Sequence, residues 1–67
     1  MAFQKVFEDV QQVRAEIVKG VLQEHDIESV IVSKKDSSYQ FGHYEIHVLQ
    51  DSVIRAIKII EDEIKFE

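Results

Sequence analysis

Ile27-Glu28-Ser29-Val30-Ile31-Val32, a polar stretch from Ser33 to Gly42, and Tyr44-Glu45-Ile46-His47-Val48-Leu49 together decide the fold. The first run is short, β-branched and bounded by polar residues, which suits a strand better than a helix. The last alternates apolar and polar, so one face should be buried and the other turned outward. Between them, Ser33-Lys34-Lys35-Asp36-Ser37-Ser38-Tyr39-Gln40-Phe41-Gly42 has turn chemistry with two aromatics in it. The whole stretch is a long β-hairpin in expectation, and helical patterns flank it on both sides.

Upstream, Phe3 to Glu8 suits a first strand, with Phe3 and Phe7 pointing one way and Val6 the other. Asp9 can cap a helix, with Gln12 completing a capping-box-like pair. From Val10 to about Glu24, Val10, Val13, Ile17, Val18, Val21 and Leu22 recur at three- and four-residue steps and predict one broad apolar stripe. Gly20 borders that stripe, where a missing side chain would let the helix approach the sheet. The helix must stop near His25-Asp26, and without a glycine there Asp26 should take the left-handed position.

Downstream, Asp51 is placed to cap a second helix. Its buried stripe should be Val53, Ile54, Ala56, Ile57 and Ile60, extended by Ile64 if the helix runs that far, with Ile59 facing outward. Ile64-Lys65-Phe66-Glu67 alternates like a short fourth strand, but no turn residue precedes it, and a fraying helix end fits better. The order is therefore β-α-β-β-α over a single domain, residues 1–67. A parallel β-α-β unit plus a hairpin gives an α+β, ferredoxin-like (split β-α-β) arrangement in which the third strand is central and both helices lie on one face.

Bulk properties narrow the functions. Sixty-seven residues without cysteine exclude disulfides, thiolate metal sites and thiol nucleophiles. A chain of about 60 residues buries only about 60 % of its unfolded surface. Oligomerisation is the common remedy for so small a core. The formal charge of −5 disfavours nucleic acid. No apolar run approaches a membrane span of about 20 residues, and the N-terminus lacks a signal-peptide pattern, so no membrane partner and a cytoplasmic location are expected.

Arg14-Ala15-Glu16-Ile17-Val18-Lys19-Gly20-Val21-Leu22, His25-Asp26-Ile27-Glu28-Ser29-Val30 and Lys34-Lys35-Asp36-Ser37-Ser38-Tyr39 resemble the putative signal transducing protein family. That family comprises small bacterial domains of unknown function related to PII-like ferredoxin folds. The resemblance runs from Lys5 to about Ile60, with Asp26 standing where the family usually has glycine. It implies the α+β architecture and a signalling context.

Three candidate sites follow from the residues. His43, Glu45 and His47 share one face of the third strand, and imidazole with carboxylate suits zinc and related ions. Same-face neighbours on a strand lie roughly 7 Å apart, so the two histidines must lean inward to share an ion. In the loop, Lys34, Lys35, Ser37, Ser38 and Tyr39 could hold a phosphate or carboxylate, although no phosphate-loop motif is present. Finally, two helices leave one sheet face uncovered, yet Phe3, Phe7, Val30, Val32 and Leu49 put apolar surface there, so a homodimer through that face or the first-strand edge is expected. No cofactor is expected. Nothing brings a nucleophile to a base, so the chain is not expected to be an enzyme. The leading expectation is a regulatory module that assembles with itself and a protein partner. A ligand sensor using the loop and a metal-binding protein are the alternatives.

Overall fold

The computed structural model describes residues 2–36 and 41–66. The elements are β1 (Phe3–Asp9), α1 (Gln12–Glu24), β2 (Ser29–Asp36), β3 (Phe41–Leu49), a 3₁₀ turn (Gln50–Ser52) and α2 (Val53–Glu63). The strand order is β1-β3-β2, and both ladders are antiparallel. Because β1 and β2 each run against β3, they run parallel to each other. One core joins the two helices to one side of this sheet: Ala15, Val18 and Leu22 of α1, Ile27, Ile46 and Val48, and Ala56 and Ile59 of α2. The result is a thin slab of 35 × 32 × 15 Å.

The hairpin strands are longer than the sequence suggested. Pairing continues from Ser29↔Val48 through Lys35↔Gly42, so Lys34 and Lys35 are strand residues rather than loop residues. Gly42 is where the close pairing matters: a Cβ there would lie 2.9 Å from the Lys34 carbonyl oxygen.

The first strand departs from simple alternation. Lys5 lies opposite His47 and Phe7 opposite Ile46, so Val6 is an extra residue, a β-bulge. The bulge turns Phe7 to the helix side, where it packs with Val6 against the core. Phe7 therefore does not share the open face with Phe3, as strict alternation had implied. Its ring lies 6.1 Å from that of Phe66, and the Arg14 guanidinium sits 4.9 Å above the Phe66 ring. Residues 64–66 form no strand; the chain leaves α2 in an extended turn at Ile64 and folds Phe66 against the slab.

The helix starts also differ from expectation. Gln11, not Asp9, is the N-cap of α1, and it makes no side-chain cap. Asp9 Oδ1 instead accepts the Gln11 N–H at 2.8 Å, two residues on, shaping the turn that leads into the helix. Asp51 lies in the 3₁₀ turn, and Ser52 precedes α2 without a side-chain cap.

The end of α1 is built as the sequence required. Asp26 is the one described non-glycine residue with positive φ, at 62°. Ile27 N–H donates to Leu22 O at 2.9 Å and Asp26 N–H to Gln23 O at 3.0 Å. These are the paired bonds of a Schellman motif, and its usual hydrophobic contact is supplied by the buried Leu22 and Ile27.

Each helix buries part of its predicted stripe and exposes the rest: Val18, Leu22 and Ala56 are buried, and Val21, Val53, Ile60 and Ile64 pack against the core. In α1 the buried residues are Ala15, Val18 and Leu22, whereas Val13 and Ile17 are exposed, as is Val10 just before the helix. In α2, Ile59 is buried and Ile54 is 84 % exposed. Ala15 and Ala56 are fully buried, placing small side chains where each helix meets the sheet. Gly20 lies outside that contact, with nothing within 4 Å of where its Cβ would be, so close packing is not its purpose.

Candidate functional site

The side of the sheet away from the helices has no covering element among the described residues. Its composition follows from the register. Phe3 pairs with Leu49 at one end; Lys5, His47 and Val30 form the next row, then Glu8, Glu45 and Val32, then His43 and Lys34. Apolar residues thus gather at one end and ionisable residues toward the other.

At the centre, Glu45 holds both histidines. His47 Nε2 lies 2.8 Å from Glu45 Oε1, and His43 Nε2 lies 2.8 Å from Glu45 Oε2. An ionised carboxylate only accepts, so each imidazole carries a proton on Nε2 and donates. The Glu45 side chain is only 12 % exposed despite facing the uncovered side, because its neighbours crowd over it. The His47 and His43 hydrogen bonds lower its pKa to about 2 from the ordinary 4.5; Lys5 and Lys34 act in the same direction, and burial opposes them. Lys5 donates to Glu8, and this bond raises the Lys5 pKa above its ordinary value.

The expected trio His43, Glu45 and His47 is therefore brought together, but as a hydrogen-bonded chain centred on the carboxylate. A fourth member escaped the sequence reading. Glu8 stands directly opposite Glu45, and one ligand atom from each of Glu8, His43 and Glu45 lies within 4.8 Å of the others. The sequence signal was the adjacent apolar pair Val6-Phe7, which breaks period two and marks a bulge. Past that bulge, Glu8 changes face.

Of the other expected sites, Phe3, Val30, Val32 and Leu49 lie on the open face, with Phe3 41 % and Val30 40 % exposed. Lys34 lies opposite His43 on that face, whereas Lys35, the next strand residue, points to the other. The two lysines thus cannot grip one anion together as loop neighbours would. Ser37, Ser38 and Tyr39 lie outside the described residues. Two shallow clefts flank α1 on the β2 side, one of about 450 Å³ lined by Lys19, Gln23, Asp26, Ile27, Glu28 and Ser29. The described part of the chain has no helix long and apolar enough to cross a membrane.

These features define a small α+β domain with two helices on one sheet face and an ionisable cluster on the other. The chain belongs to the family described as "Putative prokaryotic signal transducing protein", whose model matches residues 3–64. No curated protein and no solved structure matches the chain.

Proposed function

We propose that the chain is a regulatory interaction module of ferredoxin-like topology that works as a homodimer joined through the open face of its sheet. The observation that carries this reading is a sheet that the described residues cover on one side only. Phe3, Val30, Val32 and Leu49 lie on the uncovered side, where apolar surface in contact with water is costly. The family's description as a signal transducing protein supports a signalling role for such a dimer, and a protein partner would be its second binding event.

Sedimentation equilibrium at micromolar concentration tests the reading. A dimer is expected, dissociated by Val30→Lys and by Phe3→Lys on the open face. Val13→Lys on the outer surface of α1 should leave it intact. A monomeric wild-type chain, or a dimer indifferent to Val30→Lys, refutes the proposal.

A further inference from the structure

We propose that Glu8, His43 and Glu45 form a site for one divalent transition ion of borderline softness, for which zinc is the probe. The three ligands come from one chain, so the site does not depend on the dimer. Three independent features of the backbone converge on it. Alternation along β3 puts His43 and Glu45 on the same face. The register sets Glu8 directly across from Glu45. The bulge at Val6 turns Glu8 to that face, and bulges recur next to functional sites because they re-aim a side chain.

The donor chemistry fits. Two carboxylates directly opposite one another on antiparallel strands repel, and a cation between them removes that repulsion. Their two negative charges balance a divalent ion, and a neutral imidazole completes an N,O,O set suited to zinc and its neighbours. Zinc–ligand distances of about 2.0–2.2 Å place tetrahedral donors roughly 3.4 Å apart. The present separations, within 4.8 Å, close to that value by side-chain rotation. Glu8 is about half exposed, and its carboxylate makes the adjustment by sharing or giving up the Oε1 bond to Lys5.

The surrounding groups also have roles. His47 holds Glu45 Oε1 and leaves Oε2 for the ion, the kind of outer contact that orients a ligating carboxylate. His43 Nε2 now donates to that same Oε2; on binding, its ring proton moves to Nδ1 and the Nε2 lone pair turns to the ion. Lys5, bound to Glu8, and Lys34, beside His43, oppose the ion's charge and moderate its affinity. The ligands lie toward the ionisable end of the open face, away from the Phe3–Leu49 end, which leaves the remaining coordination positions to water.

The test is calorimetric titration of the untagged, metal-free full chain with zinc at neutral pH, checked against a chromophoric chelator. One ion per chain is expected. Glu8→Gln and His43→Ala should each weaken binding by about tenfold or more, while His25→Ala, on the helix side, leaves it unchanged. The His43 ring resonances should shift on zinc addition and those of His25 should not. Glu8→Gln alters an exposed side chain without changing its size, so its folding is secure, and a circular dichroism melt checks it. No uptake at stoichiometric zinc overturns the proposal, as does binding that survives Glu8→Gln or follows His25. Repeating the titration on Phe3→Lys, at the apolar end of the face away from the three ligands, separates this site from self-association: binding should persist in the monomer.

Discussion

The two sides of β3 share a backbone and differ in almost everything else. Ile46 and Val48 are fully buried under the helices, while His43, Glu45 and His47 form a polar chain on the opposite side. Burial on the first side supplies the free energy of folding. The second side is held by hydrogen bonds beside water, which contribute little net stability. The comparison separates what makes the chain fold from what is left over for binding.

The strongest way to break that comparison is to truncate both sides. Ile46→Ala should cost about 2–5 kcal/mol through lost burial and a cavity. A chain of this length has only about 3–10 kcal/mol in total. Ile46→Ala is therefore expected to be largely unfolded, and Ile46→Val, at about 0.5–1.5 kcal/mol, gives the measurable value by urea denaturation. Val30→Ala on the open face should cost less than about 1 kcal/mol in dilute solution, where no second copy covers it. Its cost should grow with protein concentration if the sheet faces associate. Equal costs at all concentrations would mean that the two sides are alike after all.

The helices sharpen the point, because they are where sequence and structure part. Alternation in β3 has one solution, and the central position of that strand and the face of each residue were legible. Helix patterns here have two. In α1 the predicted stripe mixed the two: Val18 and Leu22 are buried together with Ala15, whereas Val13 and Ile17 are exposed, as is Val10 ahead of the helix. In α2, isoleucine occupies both sides, at Ile54 and Ile57 and at Ile59 and Ile60. Size tells the faces apart: Ala15 and Ala56, weak in hydrophobicity, are fully buried in the core beneath the helices. The candidate site was legible to the same degree as its strand. His43, Glu45 and His47 could be placed by counting, whereas Glu8 required recognising a bulge.

Gly20 tests the corrected face of α1. Since a Cβ there meets open space, Gly20→Ala should stabilise the protein by about 1 kcal/mol, the helix-propensity difference, read as a higher urea midpoint. Destabilisation would restore the close-packing role that the sequence suggested. The end of the same helix predicts a smaller gain. Asp26→Gly relieves a left-handed residue that keeps a Cβ, and should add about 0.5–1 kcal/mol. A lower melting temperature would show that the Asp26 side chain contributes something beyond the turn.

The smallest effect belongs to the open face and distinguishes its chemistry from that of the core. Glu45 has a folded pKa of about 2 against an ordinary 4.5, owing first to His47 and then to His43. Between these values the unfolded chain binds more protons, so stability rises with pH across the window. The contribution is complete above about pH 4.5 and disappears as pH falls through about 2. Lys5, Glu8 and Lys34, which border the cluster from β1 and β2, remain in both the wild type and a Glu45→Gln variant. The two proteins should therefore be nearly equal in urea stability at pH 2 and diverge as pH rises, with the variant showing the flatter slope. Water and salt at this face screen the interaction, which keeps the divergence modest and makes it shrink further at high ionic strength. Parallel curves would mean that the carboxylate is not held by its two histidines, and that the open face is organised by something other than the His-Glu-His chain.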